Sequence, residues 1–423
     1  MKLTLLAFLT LLVCTAKIAV AQDYWQKINT PDSLSLTDVM VDNQGSIFIS
    51  SWNNFNKGGV YRSDDDGYTW LNKNNGLPAP NQSILALATD SYGAIFAGVQ
   101  NGILKSLDNG DTWLQVYHTP IHASNMYVIR CGYDSIIVAG GENQDGIIRS
   151  GDNGLTWQKV LDISHNGYFE SITDIQFGPD GVIYACSRIT MSNDPGMIYA
   201  SYDQGRTWNV FCEAGYPMAL GFDNYGRLLK GEFGSGLYRY DFNTSVWEHI
   251  LATGVSPQEI LTVPDNKIFL GCNYWPSGGL GGAMVSTNGG ESFSFLNSGF
   301  GLSNNASEFA IDLIGRILTV NGAIFRSYDT IFTSVKDINT EANQLLAYPN
   351  PFHGNVTITF PCTNGNDHDA KILIFNSTGQ LVHQSSVSNR QEYIWDGSNF
   401  PGGIYSVHFY NRKSTSTVKV LHF

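Results

Sequence analysis

Four stretches of the sequence place an acid, a glycine and a tryptophan within eight positions, and such a grouping could form a chemical site. They are SDDDGYTW (63–70), SLDNGDTW (106–113), SGDNGLTW (150–157) and SYDQGRTW (201–208). A carboxylate in such a group could act as a general acid or base. Because one active site needs only one set of catalytic groups, four near-copies favour a repeated structural element instead.

A second chemistry to consider is glycoside hydrolysis, which needs two opposed carboxylates. Asp38 and Asp174 lie in two similar strand-like runs, LTDVMV and ITDIQF. They are the best available pair, and Glu232 is a third candidate. The catalytic hypothesis rests on these three acids, although no motif marks them as catalytic.

The histidines and cysteines predict no metal site and no cofactor. His118, His122 and His165 come from two loops and lack the i,i+4 spacing of a helical ligand pair. Five cysteines lie beyond residue 21, without a CxxC pair: Cys131, Cys186, Cys212, Cys272 and Cys362. Their odd number and wide scatter argue against a disulfide framework and against a zinc site.

Each of the four stretches follows a short apolar run, and three weaker versions continue the series. The seven runs are GGVYRS (58–63), NGILKS (101–106), DGIIRS (145–150), GMIYAS (196–201), SGLYRY (235–240), GGAMVS (281–286) and GAIFRS (322–327). Their last residues lie 39 to 51 positions apart. This period suits the four-stranded blades of a β-propeller.

A tight turn rich in Asp, Asn and Gly precedes each run and gives the same count of seven. The turns lie in the hairpins at 42–50, 90–98, 132–140, 178–186, 223–231, 263–271 and 312–320. These residue types tolerate the left-handed dihedrals of hairpin turns. Each unit then has four strands, A to D, with this turn between A and B and the octapeptide between C and D. The sequence therefore predicts an all-β, seven-bladed propeller over 22–337, in which residues 23–28 supply the outer strand of the seventh blade.

The octapeptides fit the pattern S-x-D-x-G-x-T-W, and they resemble the Asp-box (BNR repeat) of sialidase, xyloglucanase and sortilin-like propellers. In that family the box is a fold element remote from the ligand. The resemblance implies structural roles for Asp65, Trp70, Asp108, Trp113, Asp152, Trp157, Asp203 and Trp208. The carboxylate is expected to accept backbone N–H groups in the turn, and the indole to pack beneath the turn.

The first 21 residues, MKLTLLAFLTLLVCTAKIAVA, have the features of a cleavable secretory signal. A lysine precedes an apolar run, and a small-x-small ending predicts cleavage after Ala21. We expect no membrane span in the mature chain, because no later segment approaches the roughly 20 apolar residues that a spanning helix needs. Losing Lys2 and Lys17 moves the net charge from −13 to −15, which disfavours nucleic acid as a partner.

A polar linker (338–347) leads into a segment (348–423) that alternates apolar and polar residues, as in a small β-sandwich. Its motifs include YPNPF (348–352), IFN (374–376), WDG (395–397) and PGGIY (401–405). In this order they resemble the type A C-terminal sorting domain of the type IX secretion system. The resemblance implies export from a gram-negative bacterium through the type IX machinery, followed by release or attachment at the cell surface.

Strand order puts the A–B turns and the boxes on one face of the propeller, which we call the turn face. The D–A and B–C connections lie on the opposite face, which we call the loop face. Long loops on a rigid scaffold are where binding residues concentrate. Rings, amides and basic groups there would suit a sugar or peptide groove. The candidate ligand-binding residues are Trp52, Asn54, Phe55, Arg188, Phe233, Tyr274 and Trp275.

The sequence predicts a secreted or cell-surface propeller that is non-catalytic and binds a glycan or a protein on its loop face. Two absences argue against known enzymes of the Asp-box family. The F-R-I-P element of sialidases is missing, and SWNNFNKGGVYR (51–62) lacks the catalytic aspartate of the comparable xyloglucanase stretch. The alternative is a glycoside hydrolase that acts on an extracellular polysaccharide, and a purely structural surface protein is a third hypothesis.

Overall fold

The structure is a computed structural model of the 423-residue chain. It describes residues 23–331 apart from loop segments at 54–56, 79–81, 120–123, 133–134, 143–144, 164–168, 191–193, 252–253, 274–280 and 302–304. Nearer the C-terminus it describes residues 345–348, 354–359, 370–376, 380–387, 392–401, 403–411 and 414–422. The expected signal segment and most of the expected linker lie outside these residues. No helix that could cross a bilayer occurs in the described part of the chain.

Seven four-stranded antiparallel sheets form the blades of a propeller, which confirms the predicted fold. The innermost strands A are β2 (Ser35–Val41), β6 (Ile84–Thr89), β10 (Met126–Cys131), β14 (Phe169–Phe177), β18 (Pro217–Phe222), β22 (Pro257–Val263) and β26 (Ser307–Ile311). Strands B are β3 (Ile47–Trp52), β7 (Ile95–Val99), β11 (Ile137–Gly141), β15 (Ile183–Thr190), β19 (Leu228–Glu232), β23 (Lys267–Cys272) and β27 (Arg316–Val320). Strands C are β4 (Gly59–Ser63), β8 (Gly102–Ser106), β12 (Ile147–Ser150), β16 (Gly196–Ser201), β20 (Gly236–Asp241), β24 (Gly282–Ser286) and β28 (Ile324–Thr330). The outer strands D are β5 (Leu71–Asn72), β9 (Leu114–His118), β13 (Gln158–Leu161), β17 (Asn209–Ala214), β21 (Val246–Leu251), β25 (Ser294–Phe295) and β1 (Trp25–Ile28).

The first strand of the chain closes the ring. In the seventh blade β1 pairs with β28, from Trp25 opposite Ser327 to Ile28 opposite Ile324. Trp25 is 1% exposed, and its ring stacks on Phe300 with 5.1 Å between centroids. The predicted role of residues 23–28 is confirmed by this pairing.

Apolar clusters hold neighbouring blades together. Between blades 1 and 2, Phe48 and Val60 meet Ile84, Ile95 and Trp113, all of them buried. Burial of apolar side chains from water supplies most of the stabilisation of such interfaces. Closure of the ring adds one more such interface, in which Ile28 and Ile324 of blade 7 meet Ile47 of blade 1.

Every inner strand carries a β-bulge at the same point along its length. The bulged residues are Thr37, Leu85, Tyr127, Thr173, Met218, Gln258 and Glu308. A bulge puts one extra residue into a strand and re-aims the adjacent side chains. In blades 1 and 4 it allows two successive side chains to reach the same neighbouring blade.

The C-terminal module is a small β-sandwich. One sheet contains β29 (Leu346–Tyr348), β30 (Asn355–Thr359) and β33 (Glu392–Asp396), and the other contains β32 (Leu381–Ser386), β31 (Lys371–Phe375), β34 (Gly403–Asn411) and β35 (Ser414–His422). Trp395, Tyr405 and Phe409 fill the core between the two sheets. Strand β29 begins two residues before the expected start of the module at 348.

Candidate binding site at the channel and the loop face

The four octapeptides form turns in which the aspartate is fully engaged. Asp65 accepts the Thr69 amide at 2.8 Å and the Thr69 hydroxyl at 2.6 Å. The Ser63 hydroxyl donates to Asp65 at 2.8 Å and accepts the amide of Gly67. The same bonds recur at Asp108, Asp152 and Asp203. Each carboxylate is committed to its own turn.

Hydrogen bonding holds these carboxylates in their ionised form. The hydroxyl and amide of Thr156 hold the pKa of Asp152 at about 2. The bonds from Thr207 do the same for Asp203. A carboxylate with so low a pKa is a poor proton donor or acceptor near neutral pH, which does not suit acid–base catalysis.

The sixth repeat shows that the turn does not require a carboxylate. There Asn288 accepts the Ser292 amide at 3.1 Å and donates to the Ser292 hydroxyl at 2.9 Å. Ser286 donates to Asn288, as Ser63 does to its aspartate. The geometry survives with a neutral amide, so the aspartates need no ionisable chemistry for this role.

A basic residue in strand C, one position before the first box residue of its own blade, joins that strand to the box of the next blade. It donates to the carbonyl of the fourth box residue of the next blade, in the pairs Arg62–Asn109, Lys105–Asn153, Arg149–Gln204, Arg239–Gly289 and Arg326–Asp66. Where the next blade has lost its box, this position holds Ala200 or Val285. These cations are therefore parts of the scaffold and do not form the arginine cluster of a sialidase.

The box tryptophans differ in their surroundings. Trp113 is buried and donates to the Lys73 carbonyl of the preceding blade at 2.7 Å. Trp70 makes the same contact with Asn29 but is only half-buried. Trp208 bonds within its own box, and Trp157 is half-buried. The expected burial beneath the turn is therefore complete only at Trp113 and Trp208.

Asp38 joins blade 1 to blade 2 at the channel wall. Its carboxylate accepts the amide of Leu87 at 2.6 Å and that of Val39 at 2.7 Å. The preceding Thr37 donates its hydroxyl to the Ile84 carbonyl at 2.6 Å. The bulge thus turns a Thr–Asp pair into a clamp on the next inner strand.

Asp174 forms the equivalent clamp between blades 4 and 5. It accepts the Leu220 amide at 2.9 Å, while Thr173 donates to the Pro217 carbonyl at 3.0 Å. Unlike Asp38, it also pairs with Arg130, at 2.9 Å. Asp174 is 3% exposed, so neither carboxylate oxygen is free to act on a substrate.

Arg130 lies at the centre of an acidic cluster in the channel. Its neighbours are Asp38, Asp174, Glu259 and Glu308, on four different inner strands. Burial opposes the charge of Arg130, but the carboxylates, Asp174 foremost, outweigh this effect and raise its pKa. Burial and the nearby Asp174 raise the pKa of Glu259 to about 8. Burial raises the pKa of Asp38 to about 6. Burial and the nearby Glu259 raise the pKa of Glu308 well above its ordinary value. Three of the four acids, Asp38, Glu259 and Glu308, therefore have raised pKa values beside a single cation.

We expect the folded protein to lose stability as the pH rises from about 4.5 to about 8. In this pH range Glu259, Glu308 and Asp38 hold protons in the folded state that they have already released in the unfolded chain. Each rise in pH therefore lowers the free energy of unfolding. Thermal unfolding at pH 5, 7 and 8.5 checks this, and the Glu259→Gln variant should show a weaker dependence. A midpoint that rises between pH 5 and 8.5 would contradict the arrangement.

The turn-side half of the channel is a cavity of about 1210 Å³. All seven inner strands line it, and Asp38, Arg130, Glu259 and Glu308 face it. Residues of the C-terminal module line its outer end. The described residues contain no cluster of His, Cys, Asp and Glu suited to a metal ion.

Glu232, the third catalytic candidate, is held by a cation. It is 7% exposed, pairs with Lys230 at 2.5 Å and accepts the Gly215 amide at 3.1 Å. Lys230 also lies over the rings of Tyr238 and Trp247. This arrangement ties Glu232 into blade 5, away from the cavity-lining acids.

The loop face exposes part of the predicted ligand-binding set. Trp52 is 45% exposed, Phe233 is 38% exposed, and Arg188 is half-buried beside the Met218 sulfur. Asn54, Phe55, Tyr274 and Trp275 lie outside the described residues. Tyr127 adds a ring that is 37% exposed and donates to Glu142 at 2.6 Å. The rings and charges therefore share the loop face, while the acids Asp38 and Asp174 lie on the channel wall.

The histidines and cysteines that were weighed as metal ligands are only partly described by the structure. His118 contacts the Thr119 carbonyl at 2.8 Å, while His122 and His165 lie outside the described residues. Cys131, Cys186, Cys212 and Cys272 are free thiols, and Cys362 is not among the described residues.

Sequence reasoning missed Arg130, Glu259 and Glu308. A signal for them exists, because each is a charged residue within an otherwise apolar inner-strand run: YVIRC, QEIL and SEFAI. In a propeller such a residue must face either the channel or the next blade. The same reasoning that selected Asp38 and Asp174 would have found these three.

Comparison with known proteins gives separate matches for the C-terminal module and for the propeller. Residues 346–422 match the secretion system C-terminal sorting domain family. The chain is similar in structure to PorZ, a surface component of the type IX secretion system of Porphyromonas gingivalis. The TM-score is 0.54 and the sequence identity is 15%, and the match covers 96% of this chain and 60% of PorZ. This chain thus spans about three fifths of the length of PorZ. No curated protein matches the sequence.

Two other solved structures cover the propeller alone. YCF48 bound to a D1 peptide has a TM-score of 0.57 and 16% identity, and covers 75% of this chain and 99% of that one. Virginiamycin B lyase from Staphylococcus aureus has a TM-score of 0.56 and 16% identity, with coverage of 73% and 98%. These likenesses establish the propeller fold. The family match shows that residues 346–422 form a secretion sorting domain, which implies export through the type IX secretion machinery to the cell surface or the outside.

Proposed function

We propose that the exported propeller is a non-catalytic binding protein whose loop face holds a glycan or a protein segment outside the cell. The observation that carries this proposal is that hydrogen bonds or an ion pair occupy each of the candidate catalytic acids. Asp38 and Asp174 clamp neighbouring inner strands, and Glu232 is paired with Lys230. A glycoside hydrolase needs one carboxyl group free to donate a proton and another free to attack or to activate water.

The loop face offers what a binding surface needs. Trp52 and Phe233 are aromatic side chains that are 45% and 38% exposed, and Arg188 and Glu142 present charged groups near the Tyr127 ring. Sugars and peptides are both recognised by such a mixture of rings and polar groups on a rigid frame. One structural neighbour, YCF48, has been solved with a peptide bound, which supports peptide binding as a use of this fold.

We expect the mature full-length chain to bind members of a glycan or peptide array, and to lose affinity about 3- to 10-fold in Trp52→Ala or Phe233→Ala. This range corresponds to the removal of one stacked ring. Tyr202→Ala is the matched control, because Tyr202 is a ring 67% exposed on the turn face. Affinity that falls equally in the control, or in none of the three variants, would exclude the loop face as the binding surface.

The hydrolase alternative retains one supporting observation. Burial and the nearby Asp174 raise the pKa of Glu259 to about 8, and a general acid needs such a raised pKa to keep its proton near neutral pH. If the chain hydrolyses a polysaccharide, release of reducing sugar should disappear in Glu259→Gln. Retained release in that variant would exclude Glu259 as the acid.

A further inference from the structure

We propose that the sorting module docks on the turn face of the propeller and covers the turn-side end of the channel. It would then serve as a removable cover in addition to its role in export. This inference goes beyond ligand binding at the loop face, and it concerns the opposite end of the channel.

The exterior of one module sheet is buried although it faces away from the module's core. In β31, Ile372 and Ile374 point into the core of the sandwich. Leu373 and Phe375 alternate with them and point to the opposite side, yet each is only 8% exposed. The outer face of a free two-sheet sandwich would be open to water.

The neighbouring strand β34 continues this face. His408 lies opposite Leu373, is fully buried and packs edge-on against Phe375 at 5.0 Å. Tyr410 follows on the same face, and burial raises the pKa of its phenol. Asp265 and Tyr225, which raise that pKa further, belong to A–B turns of the propeller. Tyr410 and Tyr225 also line the same cavity, which places Tyr410 beside the turn face.

The cavity connects the two parts of the chain. Its module side is formed by Lys371, Leu373, Phe375, Gln380, Leu381, Gln384 and Tyr410. Its propeller side is formed by the inner strands that carry the Arg130 cluster. While the module stays in place, its residues form one wall of the cavity that the channel acids also line. Removal of the module would open this end to solvent.

Cys131 offers a built-in reporter of that opening. It is the last residue of β10, lies at the turn-side end of the channel and lines the cavity. Replacing Cys212 and Cys362 by serine leaves Cys131 and two other thiols in the mature chain. The other two, Cys186 and Cys272, are fully buried. The rate at which N-ethylmaleimide labels Cys131, measured by peptide mass analysis of the full mature chain, therefore reports access to the cavity.

We expect slow labelling in this background and at least 10-fold faster labelling after Leu373→Glu with Phe375→Glu. The new carboxylates would face the acidic channel and repel the module from it. Ile394→Glu is the matched control, because Ile394 lies on the other module sheet and is 58% exposed. It should label at the background rate.

A propeller-side variant keeps the test decisive if the double variant unfolds the module. Tyr225 lines the cavity together with Tyr410 and is otherwise 66% exposed, so Tyr225→Glu should leave the propeller folded while it places a carboxylate beside the module and accelerates labelling. Labelling in the background that is already as fast as in the variants would overturn the proposal. So would equal acceleration by Ile394→Glu, or a Tyr225→Glu rate equal to the background.

Discussion

Replacing Trp25 by alanine should lower the free energy of unfolding by about 3–5 kcal/mol, the usual cost of truncating a buried tryptophan. Trp25 is 1% exposed, and its amide donates to the Ser298 carbonyl at 3.0 Å. It anchors a four-residue strand that alone joins the start of the chain to the last blade. Urea unfolding followed by tryptophan fluorescence measures the loss.

Trp52→Ala is the matched control for this prediction. The two variants make the same chemical change, but Trp52 is 45% exposed and lies outside the blade interfaces. We expect Trp52→Ala to change the unfolding free energy by less than about 0.5 kcal/mol, as surface substitutions usually do. Similar losses in the two variants would show that β1 does not hold the ring closed.

Asp174→Asn should cost about 2–3 kcal/mol of stability, whereas Asp38→Asn should cost about 1 kcal/mol. Both changes weaken the clamp on the next inner strand, but only Asp174 also pairs with Arg130. Removing one partner of a buried ion pair leaves the other charge uncompensated. The loss is smaller than for a fully buried pair, because Arg130 keeps about a third of its side chain exposed and has other acids nearby.

Arg130→Met combined with Asp174→Asn separates the two contributions. If the ion pair is the cause, the double variant should lose less unfolding free energy than Arg130→Met and Asp174→Asn lose together as single variants. Additive losses, or equal losses in Asp38→Asn and Asp174→Asn, would assign the effect to the clamp alone.

The blade count and the closure of the ring could be predicted because their signals are local. Each box and each A–B turn is written within about nine consecutive residues, and the strand at 23–28 resembles those that follow a box. The side-chain bonds within a turn, such as Asp65 to Thr69, follow from the same short spacing.

The channel and the contacts between blades could not be predicted in the same way. The Arg130–Asp174 pair joins residues 44 positions apart, and it depends on bulges that no composition signal marks. The bond from Arg326 to Asp66 spans 260 positions and exists only because the ring closes. Charged residues within the inner-strand runs mark candidates for the channel wall, but the sequence does not show which of them meet.

The central claim is that the propeller holds its ligand without altering it, and the direct test is mass analysis of that ligand after incubation with the mature full-length chain. We expect the ligand to be recovered intact, and the bound fraction to fall in Trp52→Ala. A shortened ligand that is produced by the unaltered chain and not by a folded Asp174→Asn or Glu259→Gln variant would contradict the claim and establish the protein as a hydrolase.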